Sequence, residues 1–226
     1  YGGGSLVVFL PRPLAAGEEL VLRFRYDAPF FERYGNRFWE LALGDAWYPR
    51  PPERMVGARH GMKAVVRAKK PLVPIAPGKT LRRFEDGAWN GGEAELETKA
   101  PAHAILAGAY TFHEETRGGV TARLASYAVP KPKSAAKLLS LFHAVRERYE
   151  ALYGPLPYTD VTIAEGFDRR PGQAPPGMLE IGSGILDAFR FGGEEGARAK
   201  VEEANGVVAH EVDHAYWGGL VWHAQA

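Results

Sequence analysis

The chain contains no cysteine. Disulfides, a catalytic thiol and thiolate metal sites are therefore excluded, and any bound metal must be held by histidine and carboxylate side chains. There is also no run of about 18 or more apolar residues, so no segment reads as a membrane-spanning helix. Long basic runs are missing too: 28 Lys and Arg are scattered among 27 Asp and Glu, for a formal charge of +1. That balance argues against nucleic acid or an anionic membrane as the main partner. Neither an initiator methionine nor a signal-like apolar stretch precedes Tyr1-Gly2-Gly3-Gly4, and Trp222 to Ala226 lack the composition of a tail. The start reads as a cut into a longer protein or a matured end, and both ends look cut. What is present suits a globular protein, with 46% hydrophobic and 24% charged residues over 226 positions, enough for one large or two ordinary domains.

Up to about residue 128 the pattern is that of short strands separated by turn signals. Ser5 to Leu10 reads as a strand stopped by Pro11-Arg12-Pro13. Glu19 to Tyr26 alternates, with Leu20, Leu22, Phe24 and Tyr26 on one face. Further strands are expected at Arg37 to Leu43, Met62 to Ala68, Pro71 to Ile75, around Leu81, and at Glu93 to Thr98 after an Asn90-Gly91-Gly92 turn. His103 to Phe112 and Val120 to Val129 should pair across Arg117-Gly118-Gly119 as a hairpin. Such spacing predicts a sandwich or a strongly curved β-domain. His60, His103 and His113 lie in this region without ligand-like spacing and read as structural or surface residues.

The character changes at Pro130-Lys131-Pro132-Lys133. Ser134 can cap a helix over Ala135 to Tyr153, whose Leu138, Phe142, Val145, Tyr149 and Leu152 form one apolar stripe ended by Gly154-Pro155. A strand at Thr159 to Ala164, a loop from Asp168 to Pro176, a short strand at Met178 to Ile181 and a second helix from Glu194 to Tyr216 follow. The fold class is thus α+β, with a β-rich domain over 1–130 and a mixed region over 131–226.

Val207-Val208-Ala209-His210-Glu211-Val212-Asp213-His214 is an apolar run followed by H-E-x-x-H. On a helix, His210 and His214 lie one turn apart on the same face, where two imidazoles can grip one Zn²⁺. Glu211 is then placed as general base toward water that the ion activates. Asp213 either orients His210 or meets solvent. A catalytic zinc normally has three protein ligands. The position of a third histidine in metzincin-type sites is Leu220, and Trp217 stands where that motif needs glycine. His223 lies beyond Gly218-Gly219, which should end the helix first. Glu194, Glu195, Glu202 and Glu203 read as the solvated face of the motif helix.

The stretch His210-Glu211-Val212-Asp213-His214-Ala215-Tyr216-Trp217-Gly218-Gly219-Leu220-Val221 resembles the active site of gluzincin aminopeptidases of the membrane-alanyl-aminopeptidase and leukotriene-hydrolase type. Upstream, Gly177-Met178-Leu179-Glu180-Ile181 is similar to that family's Gly-x-Met-Glu-Asn motif. The chain departs from the family pattern at Ala215, Tyr216 and Gly219, and at Leu179 and Ile181 around Glu180. The resemblance covers nearly the whole chain. It implies a sandwich- or saddle-like β-rich N-terminal domain, itself incomplete, followed by the first part of a thermolysin-like α/β catalytic domain. It implies Zn on His210 and His214 with a third ligand, a glutamate, beyond Ala226, together with a later tyrosine that stabilises the oxyanion. Glu211 would be the catalytic base, and Gly177 and Glu180 would bind the substrate, Glu180 taking its free α-amino group. The edge of the Met178–Ile181 strand would pair with the substrate backbone.

The expected function is zinc-dependent removal of N-terminal residues from peptides with a free N-terminus, by a protein of which this chain is a fragment with little activity alone. The alternative is a non-catalytic zincin-like relative acting as an interaction or structural domain. Apart from the motif pairing, Glu180 reads as an ordinary exposed strand carboxylate.

Overall fold

The computed structural model of the protein describes residues 8–27, 32–34, 38–41, 47–49, 59–127, 132–166, 171–191 and 197–217. Within these, strands outnumber helices in an α+β arrangement of three sheets and three helices. A four-stranded sheet joins β1 (Glu32–Tyr34), β2 (Phe38–Leu41), β7 (Ile105–Gly108) and β4 (Val73–Ile75), in that order. A three-stranded antiparallel sheet is ordered β3 (His60–Lys69), β6 (Trp89–Ala100), β5 (Lys79–Asp86). The third sheet is mixed and five-stranded. Its order is β11 (Gly172–Gln173), β12 (Met178–Gly182), β10 (Asp160–Gly166), β9 (Val120–Ser126), β8 (Thr111–Arg117).

This five-stranded sheet is the layer on which the site is built. Strand β10 pairs in parallel with both β9 and β12, while β8 and β11 close the two edges antiparallel. Side chains alternate across it. Val161, Ile163, Leu179 and Ile181 join the helices in one buried cluster with Leu138, Phe142, Leu186, Val208 and Val212. Ala164 and Met178 turn the other way and pack with Phe38, Ile75, Leu106 and Tyr110, mostly from the four-stranded sheet. Both faces of β10 and β12 are therefore covered, and the strands are buried from Val161 to Gly166 and from Met178 to Gly182.

Three helices cover one face: α1 (Pro132–Tyr153), α2 (Ser183–Phe191) and α3 (Ala197–Asp213). Pro132 opens α1 in the first-turn position that tolerates a missing N–H, so Ser134 lies inside the helix and is buried instead of capping it. Gly154 closes α1 with φ +94° and its N–H on the Glu150 carbonyl at 3.0 Å. None of the helices among the described residues is long and apolar enough to cross a membrane.

Several local expectations are corrected. Val8–Leu10 and Glu19–Tyr26 form no strand, and residues 8–27 are exposed throughout. Alternation says which side of a strand would be buried, but a strand also needs a neighbour for its backbone groups, and none pairs with this segment among the described residues. Asn90-Gly91-Gly92 is not a turn. The β5–β6 hairpin turns at Gly87, φ +54°, and Gly91 sits inside β6 because the Phe84 ring lies where its side chain would be. The 103–112 segment is split, with Ile105–Gly108 in one sheet and Thr111 onward in another, although the hairpin across Gly118 (φ +58°) and Gly119 (φ +78°) forms. The helix expected over 194–216 is α3, Ala197–Asp213, and a further helix, α2, starts at Ser183 where a break was expected. The compositional change near residue 130 marks the start of α1. The five-stranded sheet draws strands from both sides of it.

Candidate functional site

Helix α3 carries the H-E-x-x-H stretch in its last turns. Ala204, Val208 and Val212 form its inward stripe, each at most 1% exposed, and this leaves His210 and His214 facing solvent. Helical pairing continues just past the end of α3, since the His214 N–H reaches the His210 carbonyl at 3.3 Å. Beyond it the chain tightens, with Ala215 and Tyr216 bonding three residues back. An aromatic cluster fixes this end to α1: Tyr216 is buried, lies 5.6 Å from Tyr153 between ring centres, and donates its hydroxyl to the Gly154 carbonyl at 3.2 Å. Trp217 packs on Tyr153 at 5.8 Å, and the Tyr149 hydroxyl donates to the Ala209 carbonyl at 3.4 Å.

The two imidazoles converge. Their Nε2 atoms are 3.2 Å apart and the rings meet nearly edge-on at 4.6 Å. Two nitrogens on one tetrahedral zinc at 2.0–2.1 Å would stand about 3.3–3.4 Å apart, so the pair is spaced for a shared ion. His214 Nδ1 lies 3.2 Å from the Trp217 carbonyl. A carbonyl only accepts, so Nδ1 carries the proton and the Nε2 lone pair points to the shared position, as for a histidine ligand oriented by its other nitrogen. No group of three or more histidine, aspartate or glutamate side chains suited to a metal is present among the described residues, so they offer two donors to such an ion. Asp213 makes no hydrogen bond to His210; its carboxylate acts instead on Tyr149, whose hydroxyl pKa it helps to raise after burial has done most of it. His223 lies outside the described residues.

Glu211 is buried where its two histidine neighbours in the motif are exposed. It is 4% exposed, and its Oε2 has no hydrogen-bond partner among the described residues. Burial raises its pKa above the usual carboxylate value, with His214 and then His210 pulling against it. Its carboxylate lies against Gly172 of β11, where an added Cβ would come within 2.5 Å of Oε1.

Glu180 is not the exposed carboxylate that its position in a short strand allowed. It is 7% exposed and faces away from α3, folded over Gly166. Gln173 lies opposite it in the β11–β12 pair and donates Nε2 both to Glu180 and, at 2.8 Å, to Oε1 of Glu40 on β2. Glu40 is 2% exposed and was missed in reading the sequence. A signal was there: Phe38 and Glu40 share one face of β2, and an acid on an inward apolar face is unusual. Glu165 is the third buried acid nearby, accepting from Ser126 Oγ at 3.0 Å and from the Tyr127 N–H at 2.8 Å. Burial, and then the charges of Glu165, Glu180 and Glu40, push the Tyr127 hydroxyl far upward.

Gly177 forms the turn into β12 with φ +73°, and a Cβ there would lie 3.0 Å from the Gly78 nitrogen. Its glycine is thus required by backbone conformation and by the close approach of a neighbouring strand end. The expectation that β12 offers a bare edge is corrected: β11 occupies it at Glu180 and Ile181, and the Gly182 N–H bonds the Pro171 carbonyl at 3.1 Å. His60 and His103, distant in sequence, meet at 4.8 Å between ring centres beside Tyr48, whose hydroxyl is 2.9 Å from His60 Nε2. Comparison with protein-family models and with curated proteins finds no match to this chain.

Proposed function

We propose that the chain carries part of the active site of a zinc aminopeptidase related to the gluzincins, with a thermolysin-like arrangement around α3. The observation that carries this reading is the 3.2 Å approach of His210 and His214 Nε2 with the Glu211 carboxyl on the intervening turn. His210 and His214 would hold the ion, with a third donor from outside the described residues. Zinc bound there supplies Lewis-acid polarisation, which makes water a nucleophile near neutral pH.

Glu211 takes the proton from the attacking water and returns it to the leaving amine. Its burial keeps bulk water from competing for that proton. Glu180 and Glu40, bridged by one amide nitrogen, form a buried acidic pair that suits a substrate ammonium. An internal peptide bond has no such cation, so this pair would set exopeptidase register. Gly177 holds the turn that places Glu180. Peptides with a free N-terminus are the proposed substrates.

The alternative, a non-catalytic relative, draws support from the coverage of Glu211 by Gly172. Turnover separates the two. In the full natural protein carrying this sequence, cleavage of an aminoacyl-anilide should fall about a hundredfold to ten-thousandfold on Glu211→Gln while zinc is retained. Glu180→Ala should lower kcat/KM for the free-amine substrate at least about tenfold more than for its N-acetyl counterpart. Activity unaffected by Glu211→Gln would remove Glu211 as the base, and equal losses on both substrates would remove Glu180 as the anchor.

A further inference from the structure

Strand β11 runs antiparallel along β12, the edge on which an extended peptide would lie, and its two residues reach both halves of the proposed site. Gln173 Nε2 contacts Glu40 and Glu180 together. Both acceptors are carboxylates, so the amide nitrogen must face them, and it occupies the place that an ammonium would take. A neutral amide supplies the hydrogen bonds but no positive charge to the two acids, which an ammonium supplies as well. One residue earlier, Gly172 lies on the Glu211 carboxylate, leaving the proposed base 4% exposed while its histidine neighbours are open. Ordinary sheet pairing accounts for the β11–β12 hydrogen bonds. It does not require that one residue sit between two acids of different sheets and the next on the base.

Resting on the aminopeptidase reading, we propose that Pro171–Gln173 is a strap that fills the cleft in the manner of a substrate, with Gln173 in the seat of the N-terminal ammonium and Gly172 over the base, and that it must leave β12 before a peptide binds. The strap lowers apparent affinity by the fraction of molecules in which it is open. Its grip on the sheet is short: two residue pairs with β12 and one further bond at Gly182. A ligand that supplies the same hydrogen bonds plus a charge can compete with it.

The test is calorimetric and NMR titration of the protein with phenylalanine amide and with N-acetyl-phenylalanine amide. Gln173→Ala should bind phenylalanine amide about tenfold more tightly than wild type, as for a competitor that fills nine-tenths of the molecules. Bound phenylalanine amide should speed hydrogen exchange at the Gln173 and Gly182 backbone amides of wild type, which the β11–β12 pairing holds, and the acetylated compound should do neither. Gly172→Ala is the second variant, keeping Gln173 but setting a methyl 2.5 Å from the Glu211 carboxylate, and it should shift affinity in the same direction if Gln173→Ala fails to fold. Equal or weaker binding of phenylalanine amide by the variants, with exchange unchanged, overturns the strap and leaves the amine site standing. No preference of any form for the free amine overturns the aminopeptidase reading and the strap with it.

Discussion

His103 is 1% exposed, its Nε2 donates to the His60 carbonyl at 3.1 Å, and its Nδ1 has no partner among the described residues. Burial first, and then the neighbouring His60, lower its pKa from 6.5 to about 4. The folded chain therefore stays unprotonated at this site while the unfolded chain takes up a proton. Stability that is fully present above pH 6.5 is lost as the pH falls toward 4, by at most about 3 kcal/mol from this one group. His103→Gln, which keeps a donor for the His60 carbonyl, should flatten the pH dependence of urea unfolding across that window. Identical slopes in both proteins would show that His103 does not titrate as its surroundings require. Residue identity alone did not reveal this. Forty-odd positions separate His60 from His103, and only the fold brings them together. The H-E-x-x-H pair was legible for the opposite reason: its geometry is set by one helical turn and needs no distant partner.

Elements show the same division between local and distant causes. Helix α1 was legible along its interior and at its end, because its stripe and its glycine stop act within a turn of where they stand, while its start lies at Pro132, ahead of the expected Ser134 cap. Strand β6 misled because Gly91-Gly92 signals a turn unless something across the sheet fills the missing side-chain volume. Phe84 does so, with Arg82 stacked over its ring at 4.9 Å. Gly91→Ala should therefore destabilise by about 1–3 kcal/mol by overpacking against that ring. Combining it with Phe84→Ala should cost less than the two single changes together in denaturant melts, and strict additivity would mean that the ring and the glycine are not coupled. Strand β12 was found where its apolar residues suggested, but its exposed edge was not available. Residues 171–173 contain a proline and a glycine, composition that reads as loop, and only the register with Glu180 and Ile181 makes a strand of them.

Across the whole molecule, the five-stranded sheet links segments on both sides of residue 130, with Thr121 beside Asp160 and Thr162 beside Met178. The composition change there was real, but it reports the onset of helix, not a division of the sheet. That sheet separates the two halves of the proposed site: α3 with His210, Glu211 and His214 lies on one face, and Glu180 with Glu40 on the other. Strand β11 spans the edge between them. Sequence spacing pointed to Glu180 and Gly177 only through a resemblance, and it gave no hint of Glu40, which another sheet delivers. In the proposed site His210 and His214 act as one metal-binding pair beside a base. Zinc competition against a chromophoric chelator tests it most directly, on wild type, His210→Ala, His214→Ala and Glu211→Gln. One weakly held zinc per chain is expected, with at least about tenfold weaker binding when either histidine is replaced and unchanged binding for Glu211→Gln. Binding that ignores both histidine replacements would contradict it.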